Sequence, residues 1–198
     1  MIEKEIFINK HLKGSQNGEI LLFCDVDLRF YGNIRDDLTN CLKGHDIVFM
    51  KDHNSDETGR CGGFFAVKSS GKIKALFREV LHQLKLYKDP SVSFESSEQS
   101  TINNLLKKRE MIDWSYLPER YYTHGLYTHG IKNFTQENQT GLWWENKNHE
   151  ERNNVYAPSD ILVHHANWCN GIDNKVGLLK FIESKIRFRK NQEKLKRS

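Results

Sequence analysis

The chain lacks any apolar run near the roughly 20 residues that a bilayer-spanning helix needs. It also lacks the apolar core of a signal peptide, since the opening MIEKEIFINKHLK carries charges throughout. Nothing in it directs export, so a cytoplasmic location is the default expectation. Cysteine is sparse. Cys24, Cys41, Cys61 and Cys169 form no CxxC pair, which argues against a disulfide framework or a zinc ribbon. Cys24 sits inside an apolar run and reads as a small core residue. No basic, aromatic-studded recognition module is present. The formal net charge is only +4, and much of the excess lies in the tail KIRFRKNQEKLKRS. That tail reads as a solvated helix end, so nucleic acid is not an expected partner.

What remains is an ordinary globular balance on the polar side, with 37% hydrophobic and 28% charged residues among 198. That length supports one domain with a real core, and no linker divides it. Residues 2–13 predict a short helix with Ile6, Ile8 and Leu12 as its apolar positions. The continuous apolar run at 19–24 predicts a strand buried on both faces. A short helix or turn is expected over 33–43 and an apolar strand over 45–50. After the polar stretch KDHNSDETGR, strand character runs from Gly63 to Lys68. The clearest helix follows: Ile73, Leu76, Phe77, Val80, Leu81 and Leu84 recur at helical spacing as one apolar stripe. Ser96 to Gln99 fits a capping box that opens a second helix, with Ile102, Leu105 and Leu106 inward. MIDWSYL predicts a strand ended by Pro118. Residues 119–159 are irregular, polar and aromatic, with a Tyr-Thr-His-Gly echo at 122–125 and 127–130. ILVHHANW predicts a last strand and GLLKFIESKIRF a terminal helix. Strands alternating with helices predict an α/β domain with a largely parallel sheet.

The chemistry is concentrated in ILLFCDVDLRFYGN, residues 20–33. Residues i and i+2 of a strand share a face, so where strand geometry continues past Cys24, Asp25 and Asp27 project together at the carboxyl end of a buried strand. Open α/β sheets bind ligands at that end. Two close carboxylates repel, and one stays protonated unless a cation holds both. Mg²⁺ or Mn²⁺ suits such oxygen ligands. An isolated DxD also suits a helix N-cap or a solvated loop; the apolar run and its abrupt stop favour a site. Two enzyme chemistries use this placement. A phosphatase of the haloacid-dehalogenase type takes the first Asp as nucleophile and the second as acid, but wants Thr or Val where this chain has Arg29. A metal-dependent glycosyltransferase uses the pair to hold a divalent ion against a sugar nucleotide's diphosphate.

Four further stretches follow in order: RCGGFFAVKSS at 60–70, SSEQSTINNLL at 96–106, LPERYYTHG at 117–125 and LVHHANWCNGIDNK at 162–175. With FCDVDLRFYGNI ahead of them, they resemble the nucleotide-diphospho-sugar transferase family, GT-A-fold enzymes akin to glycosyltransferase family 77. The resemblance runs from about residue 19 to 182. It implies an α/β, GT-A-like (Rossmann-like) three-layer sandwich with a mostly parallel mixed sheet, in a single domain over 1–198. It implies transfer of a sugar from a nucleotide-diphosphate donor to a glycan or protein hydroxyl, with retention and with Mn²⁺ or Mg²⁺.

The resemblance also implies roles for residues. Asp25 and Asp27 become metal ligands, and the segment carrying His165, Asn167, Gly171 and Lys175 supplies a third ligand, His165, and a lysine for the diphosphate. His164 faces the other way along a strand, and the match to HxN selects His165. A lone histidine there would otherwise read as filler of a strand face, and a zinc site from His164, His165 and Cys169 has poor spacing. Gly62 and Gly63 match a glycine-bearing strand entry where backbone passes close to donor or acceptor; a turn or bulge uses glycine equally well. Glu98 and Gln99 match the acidic-Gln pair that reaches the transferred sugar, while also suiting a helix N-terminus. Asn103 is one turn further on. Trp143, Trp144 and the Tyr-Thr-His-Gly echo are acceptor-platform aromatics or loop anchors. Family members carry a substantial segment before the acid strand, whereas 24 residues precede Asp25 here. The expectation is therefore a member short at its N-terminus, with a non-catalytic accessory module as a further reading.

Overall fold

The computed structural model describes residues 2–52, 59–86, 98–108, 111–123, 131–133, 143–144, 160–167 and 171–196. In chain order the elements are α1 (Ile2–Gly14), β1 (Ile20–Cys24), β2 (Leu28–Phe30), α2 (Arg35–Cys41), β3 (Ile47–Lys51), β4 (Arg60–Lys68), α3 (Gly71–Leu86), α4 (Glu98–Lys107), β5 (Trp114–Tyr116), β6 (Tyr121–Thr123), β7 (Ile131–Asn133), β8 (Trp143–Trp144), β9 (Val163–His165) and α5 (Ile172–Leu195). This is the expected α/β class, with mixed sheets and flanking helices. Two compact units emerge: Met1–Cys24, Ile34–Met50 and Ser55–Leu117 form the first, and Asp25–Asn33, Lys51–Asn54 and Pro118–Ser198 the second. Among the described residues no helix is long and apolar enough to cross a membrane.

The first unit is built on a four-stranded sheet ordered β1-β4-β3-β5. β4 is its centre because CGGFFAV is apolar on both faces, and every residue from Arg60 to Val67 is buried. β1 runs antiparallel to β4, with Phe23 opposite Phe65, while β3 and β5 are parallel. The stripe of α3 seals the sheet: Ile73, Leu76, Phe77, Val80 and Leu84 are buried, with Leu81 half-buried. Phe77 stacks on Phe65 with ring centroids 5.4 Å apart, a geometry that adds to simple area burial. Ile102, Leu105 and Leu106 from α4 join the same core, as do Ile8 and Leu12 from α1. Polar ties pin α1 to α3: the Asn9 amide donates to the Phe77 carbonyl (2.9 Å) and the Lys74 ammonium to the Ser15 carbonyl (2.7 Å).

Several sequence expectations are corrected here. β1 is an edge strand, not one buried on both faces; only Phe23 of its five residues is buried, and Cys24 is exposed rather than in the core. An apolar run reports hydrophobicity, not position in the sheet, and β4 takes the central place. In α1 the inward stripe is Glu5, Ile8 and Leu12, whereas Ile6 is 43% exposed. Ser96 and much of 119–159 lie outside the described residues.

The second unit carries a three-stranded sheet ordered β2-β9-β6, with β9 antiparallel to β2 and parallel to β6. α5 covers it through Leu178, Ile182 and Ile186, which recur every four residues and pack with Tyr122, Ile161 and Ala166. Arg29 reaches across to Glu183 of α5 at 2.8 Å, a partly exposed pair worth at most about 1 kcal/mol. Tyr122 is fully buried, so the first tyrosine of the echo is a core residue and not part of an acceptor platform. Trp143 and Trp144 form β8, paired with β7.

Candidate functional site

Asp25 and Asp27 occupy the three-residue step between β1 and β2. Strand geometry stops at Cys24 and resumes at Leu28, so a bend rather than strand alternation brings the two acids together, with Val26 between them fully exposed. The register of β2 against β9 sets Leu28 opposite His165, and the Ala166 N–H donates to the Asp27 carbonyl at 2.9 Å. Main-chain pairing therefore carries a histidine to the acids from 138 residues away. His165 Nε2 lies 3.2 Å from Asp27 Oδ1 and 4.0 Å from Asp25 Oδ2. His164 faces the other way; its ring is buried, 5.3 Å from that of Tyr122.

α5 adds a cation. Gly171 precedes the helix with φ +84°, a conformation that disfavours L side chains. Its carbonyl accepts the Lys175 N–H (3.1 Å), so Lys175 sits one turn in. Its ammonium donates to Asp27 Oδ2. Burial alone would raise the Asp27 pKa, but hydrogen bonds from His165 and Lys175, reinforced by their charge, outweigh it and hold the carboxyl well below its usual range.

One ligand atom each from Asp25, Asp27 and His165 lie within 4.8 Å of one another. A divalent cation with bonds of about 2.0–2.2 Å spans ligand atoms up to about twice that distance apart, so small side-chain movements suffice. Two carboxylates and an imidazole are a mixed donor set suited to a hard or borderline divalent ion. The residues fit such an ion.

Asn167, two residues beyond His165 and outside β9, donates through its amide nitrogen to Asp52 Oδ1. Asp52 is a buried acid that the sequence reading passed over. Thr123 Oγ1 reaches the Asp52 carbonyl at 3.4 Å. A signal was available: Asp52 lies just past the apolar run IVFM, separated from it by Lys51, whereas Asp25 follows ILLFC directly.

The other expected residues belong to the first unit, where three of them meet. The Gly62 N–H donates to Gln99 Oε1 (3.1 Å), and a methyl at Gly62 would lie 3.5 Å from both Gln99 Cβ and Glu98 Oε1. Lys4 from α1 donates to the Gly62 carbonyl (2.7 Å) and lies 3.1 Å from Glu98 Oε1. Gly63 is buried within β4. Asn103 Oδ1 accepts from buried Arg60 at 2.7 Å, and the Arg60 guanidinium stacks 3.6 Å over the Trp114 ring.

A search of curated proteins finds no match. Among solved structures, the chain is similar to the glycosyltransferase GlyE of Streptococcus pneumoniae, at 16% identity and a TM-score of 0.44, covering 59% of this chain and 28% of that one. The chain thus spans under a third of that protein's length. The family match is far broader: residues 15–179 align with nucleotide-diphospho-sugar transferases, and the chain belongs to that family.

Proposed function

We propose that the protein is a metal-dependent glycosyltransferase that moves a sugar, with retention, from a nucleotide-diphosphate donor to a glycan or protein hydroxyl. The observation that carries the reading is the meeting of Asp25, Asp27, His165 and Lys175 in one cluster. Asp25, Asp27 and His165 hold Mn²⁺ or Mg²⁺, which supplies Lewis-acid stabilisation of charge on the leaving diphosphate. Lys175 neutralises Asp27 while no diphosphate is bound and offers the same ammonium to a phosphate oxygen when one arrives. Asn167, held by Asp52, serves the donor as the family resemblance implies. Glu98 and Gln99 meet the transferred sugar, as the family resemblance implies.

Titration calorimetry with Mn²⁺ and a panel of sugar nucleotides tests this directly. Wild-type protein is expected to bind one donor only when Mn²⁺ is present, and Asp27→Ala to lose at least tenfold in that affinity together with all transfer or donor hydrolysis. Unchanged turnover in Asp27→Ala would remove the metal assignment, and no binding of any donor by wild type would favour an accessory module.

A further inference from the structure

Glu5 stands where the inward stripe of α1 calls for an apolar residue. It shares that stripe with Ile8 and Leu12 and is completely buried. A charged carboxylate withdrawn from water is costly unless donors satisfy it. Among the described residues, neither Glu5 oxygen has a hydrogen-bond donor. The group within hydrogen-bonding reach is the carboxyl of Glu98, in the first turn of α4 and itself 6% exposed. The charged groups facing Glu5 are Glu98 from α4 and Lys4 from its own helix. Lys4 makes an ion pair with Glu98.

Two ionised carboxylates are both acceptors and cannot bond to each other. A proton between them removes the conflict: one becomes an O–H donor, and a short carboxyl–carboxylate hydrogen bond replaces a repulsion. Lys4 favours the negative charge on Glu98, so the proton resides on Glu5. We propose that Glu5 is a positioning residue: it keeps a proton at neutral pH, donates it to Glu98, and so ties α1 to the head of α4 where Glu98 sits beside Gly62 and Gln99. The shared proton stands on the packing of the first unit alone; its consequence for catalysis rests on the transferase reading, which gives Glu98 and Gln99 to the sugar.

Burial first, then the charge and hydrogen bond of Glu98, push the Glu5 pKa up to about 8, with Lys4 opposing. The folded chain thus retains a proton that the unfolded chain releases near the ordinary value of 4.5. The stabilisation is complete below that value, declines as pH rises, and is gone above about 8.

Glu5→Gln preserves size, stays neutral at every pH and offers an N–H to Glu98. Melting curves of wild type and Glu5→Gln from pH 5 to 9.5 should diverge. Wild type loses roughly 3–5 °C per pH unit relative to the variant up to about pH 8 and none beyond. Carboxyl ¹³C spectra of glutamate-labelled wild type should show one side chain titrating near 8, absent from Glu5→Gln. If every glutamate titrates below pH 6, the shared proton is overturned, whatever the variant does. With donor and Mn²⁺ present, kcat of wild type should fall above pH 8 while that of Glu5→Gln holds. Superimposable kcat profiles would overturn the positioning role and leave the transferase reading intact. Absence of turnover in both proteins would count against that reading only, and the melts and spectra would still decide the proton.

Discussion

Asp27 and Glu5 are both acids drawn out of water, one in each compact unit, and they end in opposite states. Burial pushes both toward the neutral form. Asp27 then meets an imidazole and an ammonium and stays ionised, whereas Glu5 meets a second carboxylate and takes up a proton. Depth does not decide the charge of a buried acid; the chemistry of the group opposite does. The same fold therefore carries a carboxylate set suited to a cation and a carboxyl pair suited to a proton.

The sharpest way to break this contrast is to remove the partner that holds Asp27 ionised. Lys175→Met keeps most of the stem and deletes the ammonium. Without divalent ions at pH 7, urea unfolding should show a loss of about 1–2 kcal/mol, the lower part of the range for a charged hydrogen bond because Lys175 is partly exposed. Mn²⁺ should then recover more stability than it adds to wild type, because the ion takes over the charge that Lys175 balanced. No loss in the metal-free variant would mean that His165 alone suffices.

The converse change gives Glu5 a donor in place of its rival. Glu98→Gln offers an amide N–H where a second carboxylate stood, and at pH 9 it should stabilise the chain by about 1 kcal/mol in the same unfolding assay. The two substitutions thus have opposite signs although each removes one charge. Destabilisation by Glu98→Gln at pH 9 would show that the Lys4 ion pair outweighs the carboxylate conflict.

The smallest effect is expected at Gly62. An added methyl meets Gln99 and Glu98 at 3.5 Å, ordinary contact, so Gly62→Ala should change stability by no more than about 0.5 kcal/mol. If its stability holds while donor binding falls, glycine serves the ligand rather than the packing.

The sequence carried the parts of this picture that depend on local pattern. The stripe of α3 was readable from its spacing, and so was the meeting of Asp25 and Asp27, although a bend rather than strand alternation brings them together. The alternation of a strand placed His164 and His165 on opposite faces, yet it could not say which face meets the acids. That depends on the register Leu28 opposite His165, a pairing between distant segments. The same limit hid Glu5. One position of helix phase separates it from Ile6, and Glu98 on the facing helix, with Lys4 of the same helix beside it, makes an inward acid tolerable. β1 was misread for a related reason, because a hydrophobic run does not announce whether a neighbour lies on one edge or on both.

The distance along the chain between Asp27 and His165 has a consequence for biosynthesis. At ordinary translation rates those 138 residues take on the order of ten seconds to polymerise. Throughout that interval the nascent chain displays its acid pair with neither the histidine nor the lysine made. On the proposed metal reading, a cation would find no complete set of ligands until β9 has docked on β2, so its capture would belong to the end of folding and not nucleate it.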